Sequence, residues 1–321
     1  MNLADKIFEN PDRQATREGL GNAMLKLGQS NPKVWVVSAG LADSTRADKF
    51  AEKYPDRFVE VGIAEQNMIG MAAGAALGGK IPIATSFAVF LPGRCYDHIR
   101  QSIAYSNLNV KLVSTHAGIT VGADGATHQM LEDVSMMRVL PNMRVVVPCD
   151  ALEAEKAVLA AVEGQGPYYV RTGREKVPVL TTAESPFEIG KAELFREGKD
   201  VTIIANGIMV FEALKAAREL EKQGIDAEVI NCHTVKPLDE KAIVASVKKT
   251  GAVVTAEEHQ KAGGLGAAVA ELLSEKLPTP QIRVGVDDTF GESGPAPALM
   301  EKYGLTSKEI VKSVREVIKK K

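Results

Sequence analysis

Two short stretches hold most of the side chains that could do chemistry. "VGIAEQNMIG" (61–70) places one carboxylate, Glu65, at the head of a run of small residues with helical spacing. Ile69, Ala72, Ala73 and Ala76 recur on the face below it, and Gly70 and Gly74 permit close packing. A carboxylate above an apolar face is partly desolvated, which favours holding a shared proton. That suits a hydrogen bond to a heterocyclic ring nitrogen. A glutamate in a first helical turn also serves as a dipole-favoured cap, and the two roles are compatible. The second stretch, "STHAGITVGADGATHQ" (114–129), brackets a glycine-rich loop with His116 and His128 and places Asp124 inside it. Histidine titrates near neutral pH and can donate to sugar hydroxyls or to phosphate. A His–His–Asp zinc site is a rival reading, but no helical HxxxH or CxxC spacing supports it.

Other candidates lie around these two. Phe87 and Phe90 in "TSFAVFLPGR" are either core residues or a platform on which a flat ring stacks. Arg17 in "ATREGL" and Arg174 in "VRTGRE" would clamp a phosphate dianion if the fold brings them together. Asp43 and Ser44 in "LADSTR" could cap the next segment or contact a hydroxyl. No P-loop is present, no GxGxxG follows a first strand, and "FGESG" (290–294) lacks a serine in the GxSxG position. "AGGLGAA" (262–268) opens a late helix, and His233 and His259 read as structural or interface residues.

The elements that must position these residues follow a βαβ rhythm. Apolar runs at 34–38, 57–61, 81–85, 110–114, 144–148 and 168–171 predict strands, with helical patterns near 13–28, 65–78, 94–106, 129–139 and 151–163 between them. A polar, proline-containing stretch at 173–200 interrupts the rhythm. It resumes with strands at 201–205, 226–231, 252–258 and 281–286 and helices near 209–223, 238–248, 263–275 and 306–320. The expected fold is α/β, with two domains, each a mainly parallel sheet wrapped by helices. The divisions are 1–180, a linker at 181–197, and 198–321. In open α/β sheets ligands sit beyond the carboxyl ends of strands. "SAGLADSTR", "GIAEQN", "TSFAVF" and the histidine loop all follow such ends, so one rim is expected to carry one site.

Bulk composition narrows the partners. The 321 residues carry 39 basic and 41 acidic side chains, and the near balance argues against nucleic acid. Three scattered cysteines, Cys95, Cys149 and Cys232, make neither a disulfide framework nor a CxxC metal site, which suggests a reducing, cytoplasmic home. No run resembles a signal peptide or a membrane span.

Taken together, "EVGIAEQNMIGMAAGAAL", "TSFAVF", "HAGITVGADGATHQMLEDVSMMRVLPNMRVVVPCD" and "TVKPLDE" resemble transketolase, over nearly the whole chain. The resemblance covers that family's pyrimidine-binding and C-terminal domains. The diphosphate-binding domain, with its Gly-Asp-Gly…Asn metal motif, has no counterpart here. The chain therefore looks like the C-terminal subunit of a split transketolase, which moves a two-carbon ketol unit from a ketose phosphate to an aldose phosphate.

The resemblance implies roles position by position. Glu65 matches the glutamate that hydrogen-bonds the aminopyrimidine of thiamine diphosphate and so promotes formation of its carbon nucleophile. Phe87 and Phe90 match aromatics on that ring. Arg17, Ser44, His116 and Arg174 match residues that hold sugar phosphate. His128 matches a residue near the ketose hydroxyls, and Asp124 one that reads hydroxyl stereochemistry. Ala117 stands where some transketolases carry aspartate. An extra residue between Phe90 and Arg94 keeps Arg94 and Tyr96 outside the candidate set. Magnesium or calcium would take its ligands from a separate diphosphate-binding subunit, in a two-plus-two heterotetramer. Deoxyxylulose phosphate synthase and the β subunit of a 2-oxo acid dehydrogenase share much of this pattern, but the histidine loop and Arg174 favour a phosphosugar. A non-catalytic subunit that kept the fold is a reading of another class.

Overall fold

The structure, a computed structural model, describes residues 3–321. Its strands are β1 (Arg13–Ala15), β2 (Val34–Ser38), β3 (Phe58–Glu60), β4 (Ile81–Phe87), β5 (Lys111–Thr115), β6 (Arg144–Val146) and β7 (Tyr168–Arg171). There follow β8 (Lys176–Pro178), β9 (Glu193–Arg196), β10 (Val201–Ala205), β11 (Ala227–Asn231), β12 (Thr234–Lys236), β13 (Val253–Gln260) and β14 (Gln281–Val286). One sheet has the order β12-β6-β7-β5-β4-β2-β3 and is parallel except for β12. The second has the order β14-β13-β10-β11-β9 and is parallel except for β9. The expected α/β class, with two mainly parallel sheets flanked by helices, is what the chain adopts.

The first sheet is buried on both faces because its strands alternate apolar side chains to each side. Val36, Ile83, Val113 and Val146 pack beneath the Thr16–Ser30 and Ala151–Glu163 helices. Val37, Ala84, Leu112 and Val145 face the opposite way, toward Met68, Ile69 and Ala72 of the Glu65–Leu77 helix. Each buried aliphatic side chain contributes roughly 1.5–3 kcal/mol. At Gly19 a Cβ would strike the backbone of the Ala151–Glu163 helix, so glycine lets the two helices touch and fixes the height of Arg17.

Three local outcomes differ from the sequence expectation. The stretch near 94–106 is not one α-helix: wide π-type turns at Val89–Arg94 and Ile99–Tyr105 flank a short α segment, with Pro92 inside the first. The helix near 129–139 is only Asp133–Arg138, because the preceding residues belong to the histidine loop. Residues 181–197, expected as linker, include all of β9, which closes an edge of the second sheet. β12 leaves the second half of the chain to pair with β6, so backbone bonds join the halves. No helix among the described residues is long and apolar enough to cross a membrane.

Candidate active site

Glu65 is the first residue of its helix and is 3% exposed. The cap position is Ala64, which has no polar side chain to offer. The Glu65 carboxylate turns instead to Arg94, whose Nη1 donates to Oε2 at 2.7 Å. The wide turn at Val89–Arg94 places the Arg94 guanidinium 4.5 Å over the Phe90 ring. Phe90 lies nearly parallel to Phe87, with centroids 5.9 Å apart. Phe87 stacks on His116 at 3.7 Å, and His128 meets the edge of Phe90 at 5.5 Å. The carboxylate, both phenylalanines and both histidines thus form one continuous surface beyond the ends of β3, β4 and β5.

The cationic part lies against His116. Thr16 Oγ1 accepts from Gly173 N at 2.6 Å, which holds Arg17 beside Arg174. Arg17 Nη1 donates to the Ser44 carbonyl at 2.9 Å. Its Nε is buried and has no partner among the described residues. A buried donor without an acceptor costs free energy, so a ligand oxygen would stabilise it. Arg174 donates to Asp124 at 3.1 Å and to the Val121 carbonyl at 3.0 Å. Burial, Arg46 and Arg174 together lower the Arg17 pKa. Burial, then Arg17 and Arg174, push His116 down to about 3, so its imidazole is neutral near pH 7. Thr115 Oγ1 lies 2.8 Å from its Nδ1. His116 also holds a φ of 54°, in the left-handed region, which a side chain other than glycine's occupies only when its surroundings enforce it.

All nine candidate residues therefore lie on two adjoining patches that meet at His116. Two residues outside the candidate set join them. Arg94 is the partner of Glu65, and Arg46 adds charge near Arg17 and His116 while bonding Glu18 at 2.8 Å. The helical i, i+4 spacing of Phe90 and Arg94 is the one sequence signal that could have recovered Arg94. His233 is buried and stacked on Phe187, and His259 Nε2 accepts from Ser135 N at 3.4 Å, so both have packing partners away from this rim.

Residues 12–179 match the transketolase pyrimidine binding domain family, and residues 190–310 match the transketolase C-terminal domain family. The 6-deoxy-6-sulfo-D-fructose transketolase subunit SqwH of Clostridium sp. (strain MSTE9) is 47% identical over 305 residues, 95% of each chain. The chain belongs to the transketolase family. A solved split-gene transketolase, described as an inactive β4 tetramer, superposes with a TM-score of 0.88 at 50% identity, covering 95% of this chain and 98% of that one. Transketolase-like protein 2 of Mus musculus is 39% identical across 98% of this chain but 50% of its own length. The chain is thus a transketolase-type transferase subunit that lines up with other separately encoded C-terminal halves. In this family setting, the polar residues of the rim stand on the pyrimidine-binding half, and the second half buttresses them.

Proposed function

We propose that this chain is the C-terminal subunit of a split transketolase, transferring a two-carbon ketol unit between sugar phosphates with a cofactor site shared with a diphosphate-binding subunit. The observation that carries the reading is the 3.7 Å stack of His116 on Phe87, which fuses a carboxylate-and-aromatic patch with a cationic one. The residues present fit thiamine diphosphate on that first patch: a buried carboxylate stands beside two parallel rings. Bound there, the cofactor supplies the carbon nucleophile and the electron sink of ketol transfer.

Glu65 would hold and return a proton at the ring nitrogen, sharing its carboxylate with Arg94. Phe87 and Phe90 exclude water and orient the ring. Arg17, through its free Nε, takes a phosphate oxygen together with Arg174. Neutral His116 donates a hydrogen bond to the phosphate rather than a charge. Ser44 closes the same corner, while Asp124 and His128 face the sugar hydroxyls. Magnesium or calcium is assigned to ligands of the diphosphate-binding subunit.

The partner's docking face is proposed along the Glu65–Leu77 helix. Ile63 and Leu77 are 86% and 76% exposed, and Met71 lines an open apolar groove of about 370 Å³ with Gly70 and Gly74. Two copies of each chain would cover these faces.

Reconstitution tests the whole reading. The chain is mixed with a diphosphate-binding transketolase subunit, thiamine diphosphate and magnesium, and ketol transfer from a ketose phosphate is followed. The expected result is activity in the mixture and almost none from either chain alone. A folded complex inert on every ketose phosphate tried would refute the proposal.

A further inference from the structure

The second half of the chain reaches into the histidine loop at two separate places. Glu258, on β13 and 5% exposed, accepts a hydrogen bond from Thr120 N at 2.7 Å. Gly118 passes directly over the same carboxylate, and a Cβ there would collide with it. Gly118 has a φ of 83°, so both its backbone and its lack of a side chain fit this contact. Further along, Ser293 Oγ donates to the Ala123 carbonyl at 2.6 Å, and Gln129 Nε2 donates to the Glu292 carbonyl at 2.9 Å.

We propose that Glu258 is a positioning residue for the anion-binding rim: its carboxylate sets the Gly118–Thr120 turn and thereby holds the His116 imidazole in its strained, donor-ready pose. This rests on the transketolase reading above. The carboxylate is itself held. Arg171, bonded through Nε to Asp133 at 2.8 Å, points Nη1 at Glu258 from 4.0 Å and donates from Nη2 to the Glu258 carbonyl at 2.9 Å. Tyr169 donates to the same Asp133 oxygen at 2.6 Å and is bonded to Ser114. The turn is therefore anchored through a buried polar chain to β5 and β7, the strands beside His116. A carboxylate out of water is a costly way to fill space, and burial raises the Glu258 pKa, so what this side chain gives the turn is an oxygen acceptor for Thr120 N. Ser293 gives the other end of the loop, where Asp124 turns, a second and independent grip.

The test compares Glu258→Ala and Glu258→Gln in the assembled enzyme. Loss of the acceptor is expected to raise KM for a phosphorylated ketose about tenfold and leave kcat within about twofold. KM for an unphosphorylated α-ketol donor should not move. Glu258→Gln keeps an oxygen for Thr120 N and should restore KM to within about twofold of the parent. A second readout needs no turnover: ring NMR of labelled histidines across pH 5–8. His116 is expected to be silent there in the parent chain, since burial, Arg17 and Arg174 push its pKa well below that range. In Glu258→Ala the loosened loop should bring one more histidine into titration. If Glu258→Ala depresses both donors alike with no new titration, the residue is merely structural and the proposal fails. It fails equally if the variant matches the parent. Should Glu258→Ala not fold, Glu258→Asp, which draws the carboxylate back from Thr120 N, must show the same donor-selective rise in KM, in smaller degree. Should the parent complex be inactive on sugar phosphates, the functional reading falls, and the histidine titration still decides the positioning role.

Discussion

The buried pair Asp150 and Glu153 makes stability depend on pH in a direction opposite to most carboxylates. Glu153 lies in the first turn of the Ala151–Glu163 helix and accepts from Cys149 N at 2.6 Å and from Asn231 Nδ2 at 2.6 Å, the latter from the second sheet. Asp150 spends its oxygens on Glu153 N, Leu180 N, Thr181 N and the Thr181 hydroxyl. Burial first, and Asp150 second, push Glu153 from 4.5 up to about 7. Between those values the native chain keeps a proton that the unfolded chain has released. Stability from this group is therefore fully present below pH 4.5 and is lost as pH rises to about 7. The gap corresponds to roughly 3 kcal/mol. Glu153→Gln cannot ionise, and its amide can donate to Asn231 Oδ1, a buried acceptor that has no partner among the described residues. Urea unfolding at pH 5 and pH 8 should show the variant close to the parent at the lower pH and more stable, by up to roughly 3 kcal/mol, at the higher. A variant destabilised equally at both values, with the parent's pH slope intact, would refute the assignment of that slope to Glu153.

Three further outcomes follow from the site. Glu65→Gln should cut kcat by at least about 10²-fold, as expected for a lost proton carrier, without changing assembly measured by sedimentation; a variant that keeps turnover removes Glu65 from the chemistry. Arg17→Ala should raise KM for phosphorylated donors about 10–100-fold and spare unphosphorylated ones, in steady-state assays of the complex. An equal loss on both donors would place Arg17 outside the phosphate site. Gly74→Gln should stabilise the isolated chain by about 0.5–1 kcal/mol, since a Cβ there meets nothing within 4 Å and glycine is a poor helix former. The same variant should weaken capture by the diphosphate-binding subunit in a titration, and unchanged affinity would move the interface elsewhere.

What was legible in the sequence is what has a period or a position. β2, β7 and β10 fall on the runs that predicted them, because strands covered on both faces are largely apolar. Glu65 stood out because a small-residue face announces burial beneath it, and the rule that ligands sit beyond strand ends then gathered Phe87, His116 and Ser44 onto one rim. Gly70 and Gly74, read as permitting close packing, leave an exposed face on which a Cβ would meet nothing within 4 Å, the face proposed above for the partner subunit. β12 escaped notice because three residues before a proline carry no usable alternation, and its partner β6 lies in the other half of the chain.

The long-range polar contacts were illegible for a different reason. Arg94 meets Glu65 across 29 residues, and Thr120 meets Glu258 across 138. Coulomb attraction has no sequence period, so apart from its spacing to Phe90 nothing set Arg94 above the other basic side chains as a partner for Glu65 until the chain bent at Val89–Arg94. Yet the loop that Glu258 holds did leave a trace. Glycines at 118, 122 and 125 all adopt positive φ, and at 118 the reason is the approach of a carboxylate from the far domain. A glycine-rich loop with polar residues reads first as a ligand cradle. Here the glycine nearest His116 makes room for the protein's own carboxylate, and the residues that face outward from the same loop are the ones left free for substrate.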